Sequence, residues 1–333
     1  MRRPAYDNEV SVDGVLDAGT TPEHLRLLAR VARLYYERDL TQQQIADQLG
    51  LSQARVSRLL KESADRGIVR SVVVLPDGVH TELEEALQDM YGLQDAVVVD
   101  ADGAADVGRA LGRAAASYLD VSLVGADVIG ISSWSGTLVA AVEAMRPRVQ
   151  PGARQVVQMF GGMGDPTVQV QATRLTGRLA EVLRAQPVYV PTPAIVGSSA
   201  TRIAMESDPS MEAVVAAWRD ITVSLVGVGS IEPSELLRSS GNALADAQSE
   251  QLRASGAVGD VCLRYFDSSG TWVPSGVDDR LMGMSAPALQ AVPRRVAVAG
   301  GLAKVAAIRG ALLGGWVSVL ITDADVAAAL VSA

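Results

Sequence analysis

Residues 41–61 constrain the fold of this chain more than any other segment does. They read TQQQIADQLGLSQARVSRLLK, in which apolar residues recur at intervals of three and four, as they do on the buried face of a helix. Thr41 and Ser52 are each placed to cap the start of a helix, and Gly50 stands where the chain must bend with a positive φ. The segment therefore predicts two helices joined by a tight turn, a helix-turn-helix.

The second of these helices has a polar outer face that is rich in arginine and in short hydrogen-bonding side chains. Such side chains reach base edges and phosphates of duplex DNA, so the pattern favours DNA recognition over an ordinary helical hairpin with a solvated face. A β-wing is predicted directly afterwards, at residues 68–73. The positions expected to contact DNA are Thr41, Gln42, Ser52, Gln53, Arg55, Val56, Ser57, Arg58, Lys61 and Arg70.

Charge is distributed unevenly along the chain. Residues 23–70 hold nine Arg or Lys and six Asp or Glu, a balance of +3, whereas the whole chain carries −9, which leaves −12 for the remainder. A basic head on an acidic body suits a protein that touches DNA at one end only. Because a charge of +3 attracts DNA weakly, we expect several heads on one DNA and hence a homo-oligomer, a dimer or a tetramer.

Composition excludes several other classes of protein. No run approaches the ~20 uncharged residues of a membrane span, and no apolar segment follows Arg2 and Arg3, so neither a membrane anchor nor a signal peptide is expected. The single cysteine, Cys262, is expected as an inert thiol in an apolar strand, which fits a cytoplasmic protein. Two histidines and one cysteine are too few for a metal site, and no cofactor is expected.

From about residue 95 onwards, short apolar runs alternate with helical patterns. Continuous apolar strands joined by helices predict an α/β domain with a doubly wound, mainly parallel sheet that is covered on both faces. The strand-like runs lie at 96–99, 127–131, 155–159, 188–190, 222–226, 260–265, 295–299 and 316–321.

Four segments follow from these patterns. We expect a flexible tail at 1–20, a winged helix-turn-helix at 21–75, a linker helix at 76–94, and a domain for effector binding and oligomerisation at 95–333. The linker helix carries an apolar stripe, which must pack either on the body of the same chain or on a second subunit.

Small residues are concentrated where the predicted strands end. Glycine, serine and threonine dominate four such junctions, at 130–137, 160–164, 226–230 and 299–304. Ligands of parallel sheets bind at this edge, and bare N–H groups with hydroxyls at a helix start suit a phosphate, so an anionic small-molecule pocket is expected. The fourth junction ends in Lys304, one of two lysines in the chain, whose charge could meet a ligand oxygen. Neither a GxxxxGK[ST] loop nor a GxGxxG fingerprint is present.

The two halves together resemble the SorC-type sugar-binding transcriptional regulators of bacteria. The resemblance covers residues 22–331 and rests on the head motif TQQQIADQLGLSQARVSRLLKESADRGIVR and on the later motifs GISSWSGTL, FGGMG, VPTP, GDVCLRYFDSSG and VAVAGGLAK, in that order. It implies a body similar to sugar-phosphate isomerases and deaminases, a phosphorylated sugar or polyol as effector, and a tetramer on operator DNA. The expected function is that of a cytoplasmic regulator, a repressor of a carbohydrate or polyol operon.

The same resemblance implies a set of effector-binding residues. Ser133, Ser135, Gly136 and Thr137 would hold the phosphate, Asp260 and Asp267 would accept hydrogen bonds from sugar hydroxyls, and Lys304 would face a phosphate or carbonyl oxygen. The first loop reads Trp-Ser-Gly-Thr where many members read Trp-Gly-Arg-Thr, so an arginine is missing. The complete set is Ser132, Ser133, Trp134, Ser135, Gly136, Thr137, Gly161, Gly162, Gln171, Asp260, Asp267 and Lys304.

Two other functions use the same features. A sugar-phosphate isomerase or deaminase with a DNA-binding head would need the same pocket, although the pocket segments contain no histidine for proton transfer. An obligate interaction protein, such as a sigma-like factor, would use the head alone. Turnover assays would reveal the enzyme, and a ligand-independent polymerase pull-down would reveal the interaction protein.

Overall fold

The computed structural model describes residues 21–69, 78–103, 105–133, 135–162, 166–232 and 246–332, with the backbone alone at 166–172 and 246–248. The chain divides into two compact units, Met1–Val74 and Leu75–Ala333, which we call the head and the body. The predicted tail and most of the predicted wing, including Arg70, lie outside the described residues. Among the described helices, none is both long enough and apolar enough to cross a membrane.

The described part of the head consists of three helices: α1 (Pro22–Tyr36), α2 (Gln42–Leu49) and α3 (Gln53–Asp65). Thr41 caps α2 in a complete capping box with Gln44, and Ser52 accepts a hydrogen bond from the N–H group of Arg55 at the start of α3. Gly50 ends α2 with a φ of 64°. Caps of this kind each stabilise a helix by about 0.5–2 kcal/mol, so the predicted turn is encoded locally.

A small apolar core holds these three helices together. Its buried members come from all three, and the core consists of Leu28, Val31, Leu34, Ile45, Ala46, Val56, Leu59 and Leu60. Ala46 on α2 and Val56 on α3 are almost completely buried, as expected where two helices cross closely. The predicted helix-turn-helix is therefore present.

The body contains ten α-helices among its described residues. They are α4 (Thr81–Tyr91), α5 (Val107–Ser122), α6 (Gly136–Ala144), α7 (Pro166–Leu183), α8 (Ser199–Glu206), α9 (Pro209–Arg219), α10 (Asp246–Ala254), α11 (Ala286–Gln290), α12 (Val305–Leu313) and α13 (Ala324–Val331). A short 3-10 helix, Leu302–Lys304, leads directly into α12.

Seven parallel strands form the main sheet of the body. They are β1 (Asp95–Val99), β2 (Val128–Ile131), β3 (Gln155–Gln158), β4 (Gln186–Val188), β5 (Val223–Val226), β10 (Arg294–Val298) and β11 (Val319–Asp323), in the spatial order β1-β11-β10-β5-β2-β3-β4. Every residue of β2, β5 and β11 is buried, because helices cover both faces. The predicted doubly wound sheet is confirmed.

A second, antiparallel sheet corrects one predicted strand. It contains β6 (Gly229–Ser230), β7 (Ala257–Val261), β8 (Arg264–Asp267) and β9 (Trp272–Val273), in that order. The run at 260–265, predicted as one strand, is a hairpin that turns at Cys262 and Leu263, whose φ values are 53° and 63°. Cys262 therefore lies in a turn and not within a strand. An apolar turn without glycine or asparagine carries no local signal, which explains the error.

Helix α4, predicted as a linker, is part of the body. Its Leu87 is completely buried in the main core of the body, and its Tyr91 hydroxyl donates to the carbonyl oxygen of Leu330. The Glu84 carboxylate accepts a hydrogen bond of 2.9 Å from the Val98 N–H group. The apolar stripe of this helix therefore packs on its own chain. His80 precedes the first residue of this helix, and no side chain caps it.

Candidate nucleic-acid interface and effector pocket

Helix α3 presents a polar face to solvent. The side chains of Gln53, Arg55, Ser57, Arg58 and Lys61 are all exposed. The Arg58 guanidinium donates only to the backbone oxygen of Ala54, one turn earlier on the same helix. Among the residues that the structure describes, Arg55, Arg58 and Lys61 form no ion pair with a carboxylate, so three cations on one surface of the head can meet phosphates and base edges.

The structure corrects one of the expected DNA contacts and shows that the hydroxyl groups of two others already form hydrogen bonds within the head. Val56 has no exposed surface, because it packs between the helices, so it orients α3 and cannot touch DNA. The Thr41 hydroxyl is engaged with Gln44, and the Ser52 hydroxyl accepts from Arg55. The Ser52 hydroxyl can still donate to a phosphate, whereas the single proton of the Thr41 hydroxyl is donated to Gln44, and Gln42 is partly exposed. Arg70 lies outside the described residues.

The candidate effector pocket lies where the direction of the main sheet changes. Strands β2 and β5 are neighbours, but the chain continues from β2 to β3 on one side and from β5 towards β10 on the other. The loops that follow two such strands diverge and leave a crevice, which is the usual ligand site of an open parallel sheet. The predicted junctions at 130–137 and 226–230 border this crevice.

Three contacts bring the predicted junctions together. The Thr137 hydroxyl donates to the Val298 carbonyl oxygen at 2.8 Å, which joins the start of α6 to the end of β10. The Lys304 ammonium donates to the Val228 carbonyl oxygen at 2.9 Å. A methyl group at Gly227 would lie 2.6 Å from the Ser135 hydroxyl oxygen, so the absence of a side chain there permits the close approach. Residues far apart in sequence thus line one crevice.

Asp260 and Lys304 carry opposite charges within this crevice. Burial raises the pKa of the Asp260 carboxyl above its ordinary value, although a hydrogen bond from the Leu263 N–H group and the charge of Lys304 oppose the shift. Burial lowers the pKa of the Lys304 ammonium, and Asp260 opposes that shift. Both pKa values are displaced by desolvation, a condition that is common at functional sites. A desolvated carboxyl and a desolvated ammonium are therefore close enough for each to affect the pKa of the other.

Serine hydroxyls line the loop after β2. Ser133 is 5% exposed, and its hydroxyl oxygen is buried without a hydrogen-bond partner. Ser132 is also buried, and its hydroxyl lies near enough to Cys262 to oppose the rise in the pKa of that thiol. Burial and the nearby Asp260 charge raise the pKa of that thiol to about 12, so Cys262 is an inert thiol as expected. A buried, unpaired hydroxyl is costly, and the Ser133 hydroxyl, the one of four such hydroxyls among the described residues that follows β2, is therefore a candidate for a hydrogen bond to a ligand.

Ser135 and Thr137 begin helix α6. The Ser135 hydroxyl caps the helix at Leu138 and lies 2.8 Å from the Thr137 hydroxyl. Gly136, the first residue of α6, faces open space where a side chain would stand. The helix start thus offers N–H groups and the positive end of its dipole to an anion. Trp134, which the resemblance also placed here, lies outside the described residues.

The glycines after β3 are used differently from what the sequence predicts. The Gly161 N–H group donates to Met282 and the Gly162 N–H group donates to Thr192, each at 2.9 Å. A side chain at Gly161 would collide with the backbone of Thr192 and Pro193. Both amides are therefore committed to backbone pairing and are not free for a phosphate. Gln171 lies in α7, and its side chain is outside what the structure describes.

Asp267 also has a role that differs from the one predicted from the sequence. One of its carboxylate oxygens accepts hydrogen bonds from the N–H groups of Ser269 and Thr271 and from the Ser269 hydroxyl. These bonds hold the pKa of the Asp267 carboxyl below its ordinary value. Asp267 pairs with Ala257, at the opposite end of the β7–β8 hairpin from Asp260. The structure therefore does not support the expectation that Asp267 binds sugar hydroxyls, because it assigns this carboxylate to a surface turn.

Sequence reasoning missed a cleft beside Lys304 and the buried aspartate in its wall. The cleft of about 440 Å³ is lined by residues that include Asp100, Gly301, Lys304 and Asp323. Asp323 caps α13 through the Val326 N–H group and accepts from the Gly301 N–H group at 2.7 Å. Its position as the last residue of β11 and the capping residue of the following helix was the available signal.

Comparison with known proteins identifies the architecture. A model of the family described as "Putative sugar-binding domain" matches residues 78–332. The chain is 33% identical over 312 residues to the deoxyribonucleoside regulator of Bacillus subtilis, covering 93% of this chain and 98% of that protein. The chain belongs to the SorC family of sugar-binding transcriptional regulators.

Further members of the SorC family support this assignment over the full length. The sorbitol operon regulator of Klebsiella pneumoniae is 30% identical over 313 residues, covering 92% of this chain and 97% of that protein. The crystal structure of full-length SorC from the same organism superposes with a TM-score of 0.70 at 27% identity, covering 93% of this chain and 99% of that one. The SorC-type resemblance of both halves is thus confirmed.

The head also matches a second family model. Residues 29–66 match Sigma-70, region 4, a segment that spans α2 and α3 completely and most of α1. This match covers the helix-turn-helix alone, whereas the similarity to operon regulators extends through the body. The sigma-like alternative therefore explains the head but leaves the body unexplained.

Proposed function

We propose that this SorC-family protein is a transcriptional regulator whose affinity for operator DNA is controlled by a phosphorylated sugar or polyol. The observation that carries the effector part is the crevice between β2 and β5, where the unpaired Ser133 hydroxyl, the start of α6 and the Asp260–Lys304 pair converge. The helix start and hydroxyls suit a phosphate, while Asp260 and Lys304 suit the hydroxyl and carbonyl oxygens of a sugar.

Binding of the effector can alter operator affinity only if the effector prefers one arrangement of the protein over another. We infer that the active species carries at least two heads, because a single head with a charge of +3 gains little from phosphate contacts alone. The family resemblance favours a tetramer that binds paired operator sites. It also favours repression of transcription by the DNA-bound protein.

A screen of ligands tests the effector proposal. Pentose, hexose and hexitol monophosphates are compared with their unphosphorylated parents and with inorganic phosphate by thermal unfolding. A ligand present at a hundredfold excess over its Kd stabilises the native state by about 2.7 kcal/mol, which corresponds to roughly 5–10 °C in Tm for a domain of this size. The same compound should change operator affinity in a fluorescence anisotropy assay. Equal shifts with phosphorylated and unphosphorylated compounds would exclude a phosphate requirement.

Ser133 allows a sharper test of the phosphate subsite. In Ser133→Ala, loss of a buried hydroxyl without a partner should leave the ligand-free Tm unchanged or slightly higher, whereas the ligand-induced rise in Tm should shrink. Ser135→Ala provides a contrast, since it removes the cap of α6 and should lower the stability of the ligand-free protein by about 1 kcal/mol and hence its Tm. An undiminished ligand response in Ser133→Ala would remove this hydroxyl from the subsite.

An enzymatic role has less support. The two histidines of the chain are engaged elsewhere, His24 with Glu62 in the head and His80 with Asp100. The Asp260–Lys304 pair is the main acid–base candidate of the crevice among the described residues. Incubation with the same sugar phosphates, followed by analysis of the products, would reveal isomerase or deaminase turnover, and we expect none.

A further inference from the structure

The turn between β7 and β8 is unusual in its composition and in its surroundings. A two-residue hairpin turn with a positive φ at both positions is normally built from Asn-Gly or a similar pair. Here the positions are Cys262 and Leu263, with φ values of 53° and 63°. Neither residue has glycine's freedom, so the backbone is strained at both. Both side chains are buried in the main core of the body, so packing compensates for the strain.

One side-chain hydrogen bond restrains this strained turn. The Leu263 N–H group donates to the Asp260 carboxylate at 2.9 Å, across the turn itself. The other carboxylate oxygen of Asp260 is pressed against Gly229, where any side chain would collide with it. The glycine at 229 thus leaves room for Asp260 to reach the turn from β7.

Lys304 reaches the same region, because its ammonium donates at 2.9 Å to the carbonyl oxygen of Val228, the residue before Gly229. Its charge acts on the Asp260 carboxyl. The Leu263 N–H group occupies one carboxylate oxygen and Gly229 crowds the other, so a sugar hydroxyl that donates to Asp260 competes with the Leu263 N–H group. We propose that Asp260 is a ligand-sensitive latch: in the free protein it restrains the Cys262–Leu263 turn, and an effector hydroxyl draws it away and lets the turn relax. This inference rests on the proposed function, since it specifies how the crevice responds to its ligand.

The hairpin offers a path by which such a relaxation spreads. The next residue, Arg264, is buried, and its guanidinium donates to the Met284 carbonyl oxygen and to the Asp278 carboxylate. The adjoining Gly283 pairs with Phe160, at the end of β3. A shift of the turn therefore displaces the segment at 278–284 and the junction after β3. That junction lies on the far side of the crevice from Lys304.

A ligand-free experiment tests the latch directly. In Asp260→Ala the Leu263 N–H group loses its acceptor, so hydrogen–deuterium exchange in peptides spanning residues 259–266 should be faster by about tenfold. Asp260→Asn retains a carbonyl oxygen as acceptor and should exchange at nearly the wild-type rate. Asp267→Ala is the matched control, because it removes an aspartate that supports the next turn and should accelerate exchange at residues 268–271 alone.

The wild-type protein supplies a second measurement that does not depend on the folding of any variant. The sugar or polyol monophosphate that raises the Tm most should accelerate exchange of the Leu263 amide while slowing exchange at residues 132–138. The latch is overturned if Asp260→Ala exchanges like wild type at the turn, or if bound ligand protects the Leu263 amide. If instead the proposed function is wrong, the turn still loosens in Asp260→Ala, but no compound of the panel changes the affinity for operator DNA.

Discussion

Replacing Arg55 and Arg58 together by alanine should abolish sequence-specific binding to operator DNA. Both guanidinium groups are exposed on α3, and each can form the bidentate contacts that distinguish one base pair from another. Each such contact contributes about 1–3 kcal/mol of discrimination, so the double variant should lose at least roughly thirtyfold in operator affinity. Fluorescence anisotropy with operator and scrambled duplexes measures both the affinity and its specificity.

The conservative double variant, Arg55→Lys and Arg58→Lys, is the matched control. It keeps the charge of the head and should retain non-specific binding, but lysine cannot reproduce the planar bidentate geometry of arginine, so specificity should fall. Neither pair of substitutions touches the head core, and both variants should elute from a sizing column like the wild type. Unchanged operator binding in the alanine variant would refute the assignment of α3 as the recognition helix.

Replacing Lys304 by methionine should sharply weaken the response to the effector. Methionine keeps most of the apolar stem but removes the ammonium that shares the crevice with Asp260. A hydrogen bond to a charged group contributes about 1.5–3 kcal/mol, so the effector concentration for half-maximal release or capture of DNA should rise roughly tenfold to a hundredfold. A titration of operator affinity against effector concentration measures this shift.

The other lysine of the chain provides the control. Lys61 is exposed on α3, so Lys61→Met should weaken DNA binding at every effector concentration while leaving the half-maximal effector concentration unchanged. The two variants thus separate DNA contact from effector sensing with the same substitution. A Lys304→Met protein that responds at the wild-type effector concentration would place Lys304 outside the ligand site.

The head is the part of the structure that local sequence predicts best. Thr41, Ser52 and Gly50 each act within a few residues of their own position, and the apolar periodicity specifies which faces pack. Even there, Val56 shows a limit: a residue in the middle of a recognition helix was expected to touch DNA, but it lies entirely in the core. Membership of the helix-turn-helix motif does not make a residue a DNA contact, and the apolar period places Val56 on the buried face with Leu59 and Leu60.

In the body, the parallel strands follow from their apolar runs, since strands covered on both faces need apolar residues throughout. The functions of the polar residues at the strand ends do not follow in the same way. Asp260 and Asp267 have similar settings in one motif, yet one borders the crevice and the other supports a surface turn. Their different roles arise from the pairing register of the hairpin, which a linear motif does not contain.

Local patterns in the chain were thus sufficient for the two-unit organisation, the helix-turn-helix and the parallel sheet, because caps, turns and burial periodicity act over short distances. Only the tertiary structure shows that the glycines after β3 are engaged in backbone pairing and that an apolar run bends at Cys262 and Leu263. It also brings Ser133, Asp260 and Lys304 to one crevice. The physical reason is that a strained turn or a buried charge is tolerated only when distant residues surround it, and their contacts arise only on folding.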